Sequence, residues 1–246
     1  MKQPLSQTNK MNYKTIVNQY LHSFNNTNSS RRTGFALWMD HLRNAKNTWL
    51  YSNKTDDLLY LKILCVKGGH QNRMQWTHVV LTIAALDTAC LFDFTKTYKD
   101  FHDLYNQVSK ATSNIPFARG ILTRYDISLH IAILLNTPVY PDQVYLANHT
   151  RKSAQALKVY QYPYVPLNAF PKAFHVLSCM QLEDVLCVYY KVFLGINNNV
   201  KSITNASCIY KIRNKIILIN LLNNAVKQMN TITTNKPKFV FDENYL

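Results

Sequence analysis

The apolar residues of this chain recur three and four positions apart far more often than they alternate, so the pattern predicts helices almost throughout. Over 11–25, Ile16, Val17, Tyr20, Leu21 and Phe24 share one face. The polar run NNTNSSRR interrupts them, and Thr33 stands where it can cap a helix carrying Phe35, Leu37, Trp38 and Leu42. A third helix is expected with Thr55 as its cap, Asp56 and Asp57 in its first turn, and Gly68-Gly69 as its stop. Residues 73–92 predict a buried helix, apolar on most sides. Tyr98, Phe101, Leu104, Tyr105 and Val108 line one side of an amphipathic helix. ATSNIPFARGILTR reads as a loop. Thr123 is then the expected cap of a helix with Ile127, Ile131, Leu134 and Leu135 inward, ended by Pro138 and Pro141. A short helix over 141–147, a polar turn and a basic helix over 150–158 come next. YQYPYVP reads as an extended linker, and PLNAFPKAFHVLS and CMQLEDVLCVYYKVF as two further short helices.

The expected fold is therefore all-α: a disordered stretch over 1–10, a multi-helix globular body over 11–195, and a basic C-terminal extension over 196–246. The boundary rests on charge, since Val185 to Phe241 holds no acidic residue and eight basic ones. The basic amphipathic run YKIRNKIILINLLNNAVKQMN can be a helix packed on the body, a nucleic-acid arm or an unordered appendage. Over the whole chain, 28 Lys and Arg face 13 Asp and Glu, a net charge of +15. Such a balance suits DNA, RNA or another polyanion. A chain rich in Lys and Asn can also simply reflect an AT-rich genome.

Cys65, Cys90, Cys179, Cys187 and Cys208 form no C-x-x-C pair and have no histidine pair at ligand spacing, so neither a metal nor another cofactor is expected. Scattered thiols in apolar runs fit a reduced, cytoplasmic protein. The N-terminus lacks the apolar stretch of a signal peptide. The longest apolar run, over 79–92, is interrupted by Asp87 and too short to span a bilayer.

Leu146-Ala147-Asn148-His149-Thr150-Arg151-Lys152-Ser153-Ala154 resembles the turn of a helix-hairpin-helix motif, Leu-Pro-Gly-Val-Gly-Arg-Lys-Thr-Ala, best known from a group of DNA glycosylases. That motif aims backbone N–H groups at a DNA phosphate. Asn148 and Thr150 stand where it has glycines. Asn tolerates a left-handed backbone, whereas Thr can cap the second helix.

A wider likeness covers 120–190. RYDISLHIAILLNTPVYPDQVYLANHTRKSAQALKV, with LEDVLCVYYK beyond it, resembles a family of helical bacterial proteins with no function to carry over. The family pattern runs Tyr-Asp-x-Ala-x-Arg-Ile-Gly, Pro-x-x-Val-Tyr-Leu-His-Ala-Gly-Thr-Arg-x-Gly-Ala-x-Ala-Leu and Glu-Asp-x-Leu-Cys-Ile-Tyr. This chain departs at Ala147-Asn148-His149 for His-Ala-Gly, and at His130-Ile131-Ala132 for Arg-Ile-Gly.

Several groups are candidates for chemistry. Arg151 and Lys152 open a helix, where an external anion would relieve the clash of a cation with the dipole. The alternative is a solvated basic face. A lysine at the position of Lys152 is the nucleophile of bifunctional glycosylases of the hairpin group, but the stretch after this hairpin offers no partner aspartate. Asp126 and His130, four apart, share a helix face, as a catalytic pair or as a structural hydrogen bond. Glu183 and Asp184 are expected at a helix start, complementing its dipole. GGHQNRMQWTH lacks the lysine of a phosphate-binding loop.

The reading is DNA or RNA binding through phosphates by Asn148, His149, Thr150, Arg151, Lys152, Lys211, Arg213 and Lys215. The second reading is an enzyme on nucleic acid, lyase-like through Lys152 or hydrolytic through Asp126 and His130. The third is a protein-interaction module.

Overall fold

Polar caps start several of the helices that the apolar spacing predicts. A computed structural model describes residues 12–68, 71, 74–161, 163–196 and 214–232. The expected disorder of 1–10, Cys208, Lys211 and Arg213 lie outside the described residues. Among those described are ten α-helices and a two-stranded antiparallel sheet, an all-α body.

Asn12 caps α1 (Tyr13–Phe24), whose Ile16, Val17 and Tyr20 are buried. Thr33 accepts the amide of Ala36 and starts α2 (Gly34–Ser52), as its spacing predicts. In α3 (Thr55–Lys67), Thr55 lies inside the helix and Lys54 occupies the cap position, so the expected threonine cap is not made. Gly68 does end α3, for a packing reason: a Cβ there would sit 2.0 Å from the ring of Trp38.

The helix expected over 73–92 is α4 (Trp76–Thr88), which stops before the left-handed Cys90. Asp100 caps α5 (Phe101–Ala111), leaving Tyr98 before the helix though still buried. Helix α6 (Ile121–Leu134) is buried without a break from Tyr125 to its end. Its cap is Gly120. Thr123 lies one turn in, and its hydroxyl contacts the Gln71 amide oxygen at 2.9 Å and the Phe117 carbonyl at 3.1 Å.

Residues 141–147 overturn an expectation. In place of a short helix the chain forms β1 (Gln143–Tyr145), paired antiparallel with β2 (Tyr164–Pro166) in the register Val144 to Val165. Val and Tyr favour a pleated surface, and the stretch read as a linker supplies the partner strand. Pro166 closes that strand at an end where a missing N–H is tolerated. The element over 141–158 is thus a strand followed by α7 (Asn148–Ala156), with no first helix of a helix-hairpin-helix.

Ser178 and Gln181 form a capping box at the start of α8 (Cys179–Val188), which runs into α9 (Tyr190–Phe193). Helix α10 (Lys215–Ile232) lies against α3 and α4, with Leu218, Ile219, Leu222 and Ala225 in their core. The described part of the basic extension is therefore a packed helix. No helix among the described residues is long and apolar enough to cross a membrane.

Two apolar clusters result. The larger joins α2 to α6 and α10; the smaller joins α1, the sheet, α7, α8 and α9. Tyr145 of β1 faces the larger cluster while Val144 and Leu146 face the smaller, so one short strand fastens both. Cys65 and Cys179 are buried and Cys90 is exposed; burial pushes the Cys65 thiol well up and that of Cys179 to about 11.

Gly68→Ala is expected to lower stability by about 1–3 kcal/mol, because a packed indole must move to admit the methyl group. An unchanged urea midpoint would show that Trp38 does not depend on that glycine.

Candidate nucleic-acid interface

A strand that ends in Tyr145 must turn at once if α7 is to lie on α8, and the turn needs a left-handed residue. Asn148 supplies it, at φ +49°. Ala147 has no side-chain oxygen to cap α7. Thr150 instead reaches back: its hydroxyl accepts the Ala147 N–H at 2.8 Å and donates to the Ala147 carbonyl at 2.7 Å. Thr150 is 1% exposed, so it shapes the turn and is not a surface contact. Ser153 anchors the helix from below by donating to the Leu186 carbonyl of α8 at 2.7 Å. His149 stacks flat on Tyr190, with centroids 3.9 Å apart and planes 3° from parallel.

This turn faces the start of α6. Gln71, Gly120 to Thr123, Leu146, Ala147, Asn148 and Arg151 line a cleft of about 360 Å³. No side chain caps α6 among the described residues, and Gly120 to Thr123 form one wall. The helix dipole makes that end of α6 electropositive. The opposite wall carries Arg151, which has no carboxylate partner among the described residues. From 104 to 182 the chain holds seven Lys and Arg against two acids, and Asp126, one of the two, is buried.

Arg151 and Lys152 are both exposed on α7, but only Arg151 lines the cleft. Lys215 stands apart: it is ion-paired with Asp57 of α3, and α10 packs on α3 and α4, whereas α7 packs on α8 and α9. The lysine contact, followed by that of Ser52, holds the Asp57 carboxyl below its ordinary range.

The candidate catalytic groups lie away from the cleft, and the two on α6 are engaged in the core. The indole N–H of Trp38 can only donate, so His130 Nε2 accepts it, at 3.0 Å. A carbonyl can only accept, so His130 Nδ1 donates to the Cys65 carbonyl, at 2.8 Å. Those two bonds fix a neutral imidazole and use both ring nitrogens. Asp126 accepts from the Gln71 amide at 2.9 Å. Asp126 and His130 are 3% and 2% exposed, whereas Lys152 is exposed, and none of the three lines the cleft.

Glu183 and Asp184 fall in the middle of α8, not at its start, and both are buried. Asp184 accepts the Tyr20 hydroxyl at 2.8 Å and ties α8 to α1, so complementing a helix dipole is not their role. Among the described residues no group of His, Cys, Asp and Glu is arranged to hold a metal ion.

The spacing of residues pointed to the α7 turn but not to Gln71 or the start of α6. The signal for the latter lay in PFARG, where Gly120 precedes an apolar helix with no capping side chain. No family model, curated protein or solved structure matches this chain.

Thr150→Ala removes the hydroxyl that closes the turn. It is expected to lower stability by about 1–2 kcal/mol, and Thr150→Ser by clearly less. Equal denaturation midpoints for the alanine variant and the parent would contradict this role.

Proposed function

We propose that this protein binds nucleic acid through its phosphates, at the cleft between the start of α6 and the start of α7, without a chemical step. The observation that carries the reading is the pairing, across one cleft, of a helix start and an arginine that, among the described residues, have no side-chain cap and no carboxylate partner. A phosphate oxygen accepts from backbone N–H groups and from a guanidinium alike. The net charge of +15 would speed encounter with a polyanion and add non-specific affinity. Lys152 and Asn148 flank the same turn and are the natural auxiliary contacts. Such a partner, and the resemblance to helical bacterial proteins, go with action in a bacterial cytoplasm.

The enzymatic alternatives have less support. A hydrolytic pair of Asp126 and His130 would need a ring nitrogen that the Trp38 and Cys65 bonds leave open. A lyase step through Lys152 would need its amine unprotonated beside substrate, and that amine stands on an exposed helix face outside the cleft.

Binding to labelled oligonucleotides across a salt series tests the proposal. The parent should bind at low salt, with affinity falling steeply as salt rises. Arg151→Ala combined with Lys152→Ala should weaken binding at least about tenfold and flatten the log–log salt slope by about 2. No binding at low salt would overturn the proposal.

A further inference from the structure

We propose that Phe117 is a stacking platform for an unpaired base, so that the cleft takes single-stranded nucleic acid in preference to duplex; this rests on the phosphate-binding reading above. Phe117 is 65% exposed, in a loop whose neighbours Ile115 and Ala118 are buried at 8% and 0%. The loop is thus anchored on both sides of an outward ring. Its backbone is left-handed at φ +64°, a region that a bulky side chain enters only when its surroundings impose it. The Phe117 carbonyl shares the Thr123 hydroxyl proton with the Gln71 amide oxygen, at 3.1 Å and 2.9 Å from Oγ1, and Thr123 lines the cleft. The ring meets His78 at a centroid distance of 4.8 Å and 60° between planes, a tilted edge contact that steadies it without stacking on it.

Charge identifies the occupant. Exposed Arg119 lies two residues beyond Phe117, next to the Gly120 start of α6, and Arg151 lies across the cleft. An exposed apolar ring on the loop that leads into a basic cleft is poorly suited to another basic surface. It suits a ligand with a flat π-face on an anionic backbone. In a duplex, bases are stacked on one another and present only their edges, so a protein ring can stack fully only on an unpaired base.

The test is fluorescence anisotropy of the full chain with a labelled single-stranded oligonucleotide and its duplex at low salt. The parent, Phe117→Ala, Phe117→Trp and the Arg151→Ala/Lys152→Ala variant are compared. The proposal expects tighter binding of the single strand by the parent. Phe117→Ala should lose at least about fivefold on the single strand and little on the duplex, and Phe117→Trp should restore binding. Because the side chain is exposed, the thermal midpoint of the alanine variant should match the parent, which separates lost stacking from lost fold. Equal binding of both forms, or an alanine variant that binds the single strand as the parent does, overturns the stacking role. If the arginine–lysine variant still weakens binding in that case, the phosphate reading stands. Binding of neither form removes that reading and this inference together.

Discussion

A single imidazole holds the three central helices in register. His130 of α6 takes the indole N–H of Trp38 from α2 and gives its own N–H to the carbonyl of Cys65 in α3. The bond to Trp38 runs side chain to side chain in a region where water cannot substitute, so losing either partner would leave a buried polar group unmatched, a cost of about 1–3 kcal/mol. The same indole lies on Gly68, where α3 stops. The end of α3, the depth of α2 and the rotation of α6 about its axis are thus set together. Once α6 is rotated so that His130 faces Trp38, Asp126 one turn earlier faces Gln71, and Thr123 one turn before that faces the cleft.

The cleft is therefore an extension of the core. Gln71 donates to Asp126 and accepts from Thr123, so its amide orientation is fixed at both ends. On the far wall, Thr150 closes the turn before α7 and Ser153 pins that helix to α8. Gln71 and Thr123, which line the cleft, are engaged within the protein. The start of α6, which no side chain caps among the described residues, and Arg151 both line the cleft, and both are electropositive.

The sequence made the helices legible wherever one amphipathic stripe met a good cap, as at Thr33 and along α5. It was less clear where a cap depends on tertiary context. Thr123 looks like a cap, but Gln71, more than fifty residues earlier, engages its hydroxyl, and Gly120 starts the helix instead. The strand at 143–145 could not be read locally, since three residues carry no period and the pairing partner lies some twenty residues on. Asp126 and His130 have the spacing of a catalytic pair, yet each is engaged by a residue distant in sequence: Gln71 for one, Trp38 and Cys65 for the other. The exposed position of Arg151 was legible from its place in a basic turn. Its counterpart at the start of α6 was not, because backbone amides leave no mark in side-chain composition.

Hydrogen exchange measured by mass spectrometry, with and without a saturating oligonucleotide, tests the central claim most directly. The account predicts new protection in peptides covering the start of α6 and the turn into α7, with α10 and the end of α2 unchanged. Protection spread evenly over basic segments, or concentrated on α10 with the α6 start unaffected, would contradict a phosphate site in this cleft.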